Sequence, residues 1–387
     1  VTLGEALSAL YARVPLGMRL GLEPMRAACE RAGHPERAFA AVHVGGTNGK
    51  GSTCAMLASI ARASGLRTGL YTSPHLVRFA ERIRVDGEPI DDATLTGVLE
   101  DALRIGEDLS FFETATLAAF LAFRAAKVDL AVIEVGIGGR LDATSVIPPP
   151  RCTAITGVAL DHQDKLGDTL DAIAREKAAI ARAGVPMVLG RMPEEARRAA
   201  IEVATARGAR LVEAGGLPPD VVVGLAGAHQ RANAQVAWTV AGEIGIDEAS
   251  RRRGIAEARW PGRLERIEVE SGELAGPWIL DGAHNPDGAA ALVGALASDP
   301  PAAVVFGALA DKPWREMLAM LREIEAPRFY VAPSGRQPAD PRALAEVAPG
   351  TPAGSLGDAL AAARGTAGDR AVVVCGSLYL VGEARAR

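Results

Sequence analysis

A run of small residues around one lysine, Gly45-Gly46-Thr47-Asn48-Gly49-Lys50-Gly51-Ser52, follows the apolar segment Ala40–Val44 and opens a stretch with helical spacing from about Ser52 to Ser64. Glycines at a strand-to-helix turn let the backbone fold its amide hydrogens around phosphate oxygens. The helix N-terminus adds partial positive charge and Lys50 a full one. Thr47, Asn48, Gly49, Lys50, Gly51 and Ser52 therefore read as a phosphate cradle for a nucleotide. The spacing departs from G-x-x-x-x-G-K-[ST], because position 44 is Val and Gly51 separates Lys50 from Ser52. The strand-and-helix context carries the reading, not the pattern.

Phosphoryl transfer needs a cation that neutralises the triphosphate, held by hard oxygen donors. Glu134 closes the apolar run Leu130–Glu134, where a carboxylate is expensive to bury without a cation or partner. Asp161 and His162 come after another apolar run, Thr153–Gly157, and α/β sheets bind ligands beyond their strand carboxyl ends. Asp281-Gly282-Ala283-His284-Asn285-Pro286 follows a third, Trp278–Leu280, and precedes a helix starting near Asp287, which puts Asp281 and His284 at a crevice. Lys177 lies inside a helical stretch read over Leu170–Ala183, where a lysine ordinarily solvates a face.

The elements that position these residues alternate. Helical spacing over 3–33 leads into Ala40–Val44; strands and helices then alternate through Arg67–Tyr71, Thr114–Ala126, Leu130–Glu134, Thr153–Gly157, Leu170–Ala183 and Pro186–Leu189. Such alternation predicts a mainly parallel sheet wrapped by helices. A helix is read from Gln230 to Ile244. A second series begins near Leu264, with strands at Glu265–Glu270, Trp278–Asp281, Ala303–Phe306, Arg328–Val331 and Ala371–Cys375. Trp260-Pro261-Gly262-Arg263 interrupts the pattern, so a P-loop α/β domain over 1–260 and a smaller Rossmann-like α/β domain over 261–387 are expected.

Composition narrows the function classes. With 49% hydrophobic and 23% charged residues the chain can fill real cores. A net charge of −5 offers no basic footprint for nucleic acid. The apolar stretches are too short for a membrane span, and Val1–Glu5 lacks the character of a secretory signal, so a cytoplasmic protein is expected. Cys29, Cys54, Cys152 and Cys375 have no paired spacing, which suggests neither a disulfide framework nor a zinc site.

Gly46-Thr47-Asn48-Gly49-Lys50-Gly51-Ser52 resembles the phosphate loop of the folylpolyglutamate synthase and dihydrofolate synthase branch of the Mur ligase superfamily. Further segments agree in order: Tyr71-Thr72-Ser73-Pro74-His75-Leu76, Glu134 to Thr144, Leu160-Asp161-His162, Arg175-Glu176-Lys177-Ala178, His229 to Asn233, Trp260 to Arg263, Asp281 to Pro286, and Gly376-Ser377-Leu378-Tyr379. The resemblance spans nearly the whole chain. Ser145 departs from it where Asn is usual, and the stretch between Arg210 and His229 is short.

The resemblance implies an ATP-dependent ligase that forms an acyl phosphate on a folate or dihydropteroate carboxylate and couples it to L-glutamate. It implies one or two Mg2+ ions on Ser73, Glu134 and His162, with Mn2+ able to substitute, since histidine is soft for magnesium. It implies a carbamylated Lys177, contacts from Asn233 and Arg263 to adenine and phosphate, and Asp281 and His284 beside the nucleotide and incoming amino acid. Lys50, Lys177 and His284 are the expected catalytic groups and Asp142 the expected pterin contact, in a monomer acting on small molecules alone. Narrower or different readings are a folylpolyglutamate synthase without the dihydropteroate activity, a peptidoglycan-precursor ligase, which Gly49-Lys50-Gly51-Ser52 and Ser73-Pro74-His75 disfavour, and a nucleotide-binding switch.

Overall fold

A computed structural model describes residues 1–16, 21–335 and 337–387; the part of the helical reading that falls on 17–20 lies outside the described residues. The chain divides into two compact units, 1–224 with 231–259, and 225–230 with 260–387.

In the first unit the strands are β1 (Ala40–Gly45), β2 (Thr68–Tyr71), β3 (Ile83–Val85), β4 (Glu88–Pro89), β5 (Leu130–Glu134), β6 (Cys152–Ile155), β7 (Pro186–Leu189) and β8 (Arg210–Glu213). Among the described residues they form an eight-stranded sheet in the order β4-β3-β2-β5-β1-β6-β7-β8. The pairs involving β1, β5, β6, β7 and β8 are parallel, and only β3 and β4 run antiparallel to their neighbours. β1 sits between β5 and β6, with Val44 opposite Glu134 and Gly45 opposite Ile155. The loops after these three strands therefore open on one sheet edge, at the point where the chain's progress across the sheet reverses, which is where open α/β sheets bind ligands.

Apolar runs buried on both faces make these strands. One face packs Ala41, Tyr71, Ala131 and Ile133 with Leu99, Phe120 and Phe123 from the helices Asp92–Ile105 and Phe111–Ala125. The other packs Ile155, Met187 and Leu189 with Ile173 and Ala200. The helices start where capping side chains stop the preceding chain: Asp91 accepts from the Thr94 amide, and Ser110 with Glu113 forms a capping box. Phe111–Ala125 is buried nearly all round, as a helix with apolar residues on every side must be.

The expected strands and helices fall close to the observed ones, with two corrections. The long N-terminal helical reading breaks into Leu3–Tyr11, a short 3₁₀ turn at Val14–Leu16, and Glu23–Arg31. The helix read to Ala183 ends at Ala178, so Lys177 stands in its last turn rather than mid-helix. Its side chain is buried.

The second unit holds β9 (Glu265–Val269), β10 (Gly276–Asp281), β11 (Ala303–Phe306), β12 (Arg328–Tyr330), β13 (Thr351–Pro352) and β14 (Val372–Cys375). Among the described residues the order is β13-β12-β11-β14-β10-β9, with β9 alone antiparallel. Asp281 is the last residue of β10 and lies opposite Cys375. No helix among the described residues is long and apolar enough to cross a membrane.

Candidate active site

The turn after β1 is shaped by two glycines in left-handed backbone, Gly46 (φ 141°) and Gly49 (φ 84°), and Gly49 also starts the helix Lys50–Ala63. A Cβ on Gly46 would lie 2.1 Å from Thr156 Oγ1 and one on Gly49 2.1 Å from Asn233 Oδ1, so both positions exclude any larger residue. The turn is laced to the loop after β6. The Thr47 amide donates to Gly157 O at 2.7 Å, Thr47 Oγ1 to Ala159 O at 3.2 Å, and Thr156 Oγ1 to Asn48 O at 2.6 Å. Asn233, expected at the adenine, thus lies against the glycine of the phosphate turn.

Two ammonium groups meet at one carbonyl oxygen. Lys50 Nζ donates to Gly46 O at 3.1 Å and to Thr47 O at 3.1 Å, and Lys177 Nζ donates to the same Gly46 O at 3.0 Å. Lys177 is 4% exposed, and burial, reinforced by the Lys50 charge, pushes its pKa down to about 7 while Asp161 and Asp142 pull it up. The helix end carrying Lys177 can approach because Gly139 has no side chain: a Cβ there would be 2.7 Å from Glu176 O and 2.8 Å from Lys177 O.

Of the expected metal ligands, the structure brings Ser73 and Glu134 together: the Ser73 amide donates to Glu134 Oε2 at 3.0 Å, and Glu134 is buried. His162 starts a short helix in left-handed backbone (φ 51°), its Nε2 3.9 Å from Asp161 Oδ2. Among the described residues no three His, Cys, Asp or Glu side chains gather as a metal cluster. Magnesium is ordinarily bound by one or two carboxylates, substrate phosphates and water, so a single buried carboxylate beside a phosphate turn fits it.

Asp142 is 8% exposed and turns inward on its own loop. Oδ2 accepts from the Gly136 amide at 3.0 Å and the Ile137 amide at 3.1 Å; Oδ1 accepts from the Thr144 amide at 3.0 Å and from the Thr144 hydroxyl. Burial raises its pKa and these hydrogen bonds oppose the rise. A carboxylate has about four lone-pair sites, and four donors occupy them. The open fork expected for a pterin is therefore already filled, and a pterin donor has to share an oxygen with one of these groups or displace it.

In the second unit, Asp281 is held by the amides of Leu264 and Ala283, each at 2.9 Å. Burial raises its pKa, while Arg263, these two hydrogen bonds and His229 pull it down. Arg263 lies over the turn: a Cβ on Gly282 would sit 2.3 Å from its Nη1. His284 Nδ1 is 2.8 Å from Gly282 O, which makes Nδ1 the donor to that carbonyl. Asn285 caps the helix Pro286–Leu296 by accepting from the Gly288 amide at 2.9 Å. Asp281 and the turn to His284 thus stand at the carboxyl end of β10, which lies between β14 and β9.

Sequence reasoning passed over Thr156, which ties the phosphate turn to the next loop, and His43, whose Nε2 is 2.7 Å from Thr144 Oγ1. A signal existed for the second: His43 is the lone polar residue in the apolar run Ala40–Val44.

The family model for the Mur ligase middle domain matches residues 44–185, and that for the Mur ligase glutamate ligase domain matches 262–378. A folylpolyglutamate synthase of Lacticaseibacillus casei is 37% identical over 91% of this chain and 91% of its own length. The chain belongs to the folylpolyglutamate synthase/dihydrofolate synthase family of the Mur ligases. It spans half the length of another relative, a probable bifunctional folylpolyglutamate synthase/dihydropteroate synthase of Haloferax volcanii, at 37% identity over 98% of this chain. Among solved structures of the family, Escherichia coli FolC in complex with DHPP and ADP superposes with a TM-score of 0.89 at 32% identity, covering 100% of this chain and 97% of that one. A bifunctional folylpolyglutamate synthase/dihydrofolate synthase with Mn, AMPPNP and L-glutamate bound gives 0.88 at 33%, covering 100% and 98%.

Proposed function

We infer that this chain is an ATP-dependent ligase that joins L-glutamate to dihydropteroate and to folates through an acyl phosphate. The observation that carries the reading is the convergence of Lys50 and Lys177 on Gly46 O, next to the strand that ends at Glu134. The Lys50 cation on the oxygens of a glycine-rich turn forms a site for a polyanion, and β- and γ-phosphates suit it, while Lys177 on the same oxygen stands where a metal-binding carbamate would meet those phosphates. The relatives solved with ADP, AMPPNP and L-glutamate support the same substrates here.

In the reaction, an oxygen of the substrate carboxylate attacks the γ-phosphorus of ATP and the bond to the β-phosphate oxygen breaks, leaving ADP and an acyl phosphate. The α-amine of L-glutamate then attacks the acyl carbon; the nitrogen gives up a proton and inorganic phosphate departs, leaving an amide. Lys50 stabilises charge building on the transferring phosphoryl group, with the turn's amides held in place by Thr47 and Thr156. Glu134, with Ser73 and His162, would hold Mg2+ or Mn2+, which would supply charge neutralisation to the triphosphate. Lys177, with its proton loosely held near neutrality, is the residue we assign to carbamylation, which turns a buried cation into an anionic oxygen donor. Asp142, with the loop it shapes, meets the pterin end of dihydropteroate. In the second unit Asp281 fixes the turn that carries His284, with Arg263 lying over it.

The reaction is tested by supplying purified protein with ATP, Mg2+, L-glutamate and a panel of pteroates and folates, and reading products by mass spectrometry alongside phosphate release. Products heavier by one glutamate, and phosphate release that needs both the pteroate and glutamate, are expected. Phosphate release independent of glutamate would instead indicate a nucleotide switch.

A further inference from the structure

His43 lies on β1, three residues before the carbonyl that both lysines touch, and is fully buried on the sheet face that also buries Ala41. Its Nε2 is 2.7 Å from Thr144 Oγ1, while its Nδ1 is buried without a hydrogen-bond partner. Thr144 Oγ1 in turn touches Asp142 Oδ1, and Asp142 holds the amides of Gly136, Ile137 and Thr144. A chain of side chains thus runs from the strand of the phosphate turn to the loop assigned to the pteroate.

The protons on this chain can be counted. Three backbone amides donate to the Asp142 oxygens, those of Gly136 and Ile137 to Oδ2 and that of Thr144 to Oδ1, and amide donors fixed on both oxygens favour the carboxylate form, in which the group only accepts. The single Thr144 hydroxyl proton then goes to Oδ1, and Thr144 Oγ1 must accept from His43. His43 is therefore neutral with its proton on Nε2, leaving a bare lone pair on Nδ1. The other tautomer would bury an N–H with no acceptor and leave Nε2 competing with Asp142 for one hydroxyl proton, which is the costlier arrangement. Burial and the nearby Arg182 keep the ring uncharged, with its pKa pushed down to about 3. An unmatched polar atom in a strand where valine would pack asks for a role beyond packing.

We propose that His43 is a positioning residue for the pteroate substrate: its Nε2–H, through the Thr144 hydroxyl, orients the Asp142 carboxylate and so fixes the loop Gly136–Thr144. The proposal rests on the assignment of that loop to the pterin end of dihydropteroate.

Selective 15N-histidine labelling tests the proton assignment without any turnover. The expected spectrum of the metal-free protein shows His43 as the neutral Nε2–H tautomer between about pH 5 and 8; an Nδ1–H tautomer, or a charged ring, overturns the proposal. Kinetics test the positioning. His43→Leu removes the donor and is expected to raise KM for dihydropteroate about tenfold, with less than about a threefold change in KM for a polyglutamylated folate or ATP. His43→Gln, whose amide nitrogen reaches about as far as Nε2, should restore most of the loss, and His43→Asn, which is too short, should not. Equal effects on both acceptor substrates, or no difference between Gln and Asn, refutes the positioning role. If His43→Leu does not fold, the Gln and Asn pair and the spectrum still decide. A wild-type enzyme that extends folates but ignores dihydropteroate refutes the substrate assignment of the loop, and with it the selectivity, while the spectrum still decides the proton order.

Discussion

Each unit places a turn of the candidate site at the carboxyl end of an interior strand, β1 in one and β10 in the other, yet the two turns are built on opposite electrostatic plans. After β1 the backbone turns through Gly46 and Gly49, and the nearby amines are those of Lys50 and Lys177, both resting on one carbonyl oxygen. After β10 the charge is a buried carboxylate, and Asp281 spends both oxygens on the amides of Leu264 and Ala283. The first turn keeps its charge available for a ligand; the second uses its charge internally to hold a histidine and an arginine in place. Removing a charge should therefore cost the first turn catalysis and the second turn rigidity.

The largest expected effect follows from the first plan. Lys50→Ala should lower ligation by about 10³-fold at saturating ATP with little change in melting temperature, because the side chain meets only backbone oxygens that water can satisfy. Near-normal turnover would remove the distinction between the turns at once. Next comes Lys177→Ala, with a loss of about 10²-fold that short carboxylic acids partly restore by supplying the missing oxygen donor. Branched density at Lys177 in a crystal structure would establish the carbamate directly.

Lys177 also sharpens the comparison through pH. In the metal-free protein the folded state releases this proton at about 7, whereas the ordinary value is 10.5. Between those values the unfolded chain binds more protons, so this group makes stability rise with pH across that window. Below about 7 it is charged in both states and its burial penalty is fully present. Lys177→Met should flatten the rise of melting temperature between about pH 7 and 9; an unchanged slope would mean that the lysine is not desolvated.

Asp142→Ala should weaken glutamate addition to dihydropteroate about tenfold more than addition to a glutamylated folate, because four loop hydrogen bonds depend on it. Equal losses with both substrates would leave a folylpolyglutamate synthase alone. The smallest effect belongs to the second turn: Asn285→Ala removes one helix cap and should destabilise the protein by about 1 kcal/mol by denaturant titration. A larger loss of activity than of stability there would show that its rigidity serves the reaction.

The phosphate turn was legible because glycine, lysine and the strand-to-helix context are local features, and the same holds for Glu134 at a strand end. Asp142 was legible as a residue but not as a geometry, since nothing in Gly136 to Thr144 announces that the side chain folds back on its own amides. Lys177 stood out only through the family resemblance, because burial of one lysine depends on Gly139 and Gly46 approaching from distant segments. The short strands β3, β4 and β13 escaped because two or three residues carry too little periodicity to register. His43 was visible as a polar residue in an apolar strand, but its partner lies 101 residues away in the chain.

The hydrogen bond from Lys177 to Gly46 O closes a loop of 131 residues, and those joining Thr156 to Asn48 and Ser73 to Glu134 close loops of 108 and 61. The first two contacts form only after β1 has found β6 and the helix beyond it, the third only after β2 has found β5, and such nonlocal pairing slows folding. The phosphate turn is written in eight consecutive residues, but it cannot hold a nucleotide tightly until more than a hundred later ones have been made. During synthesis on the ribosome, nucleotide therefore stabilises this fold late, after the sheet has closed around β1, and offers little help to the early chain.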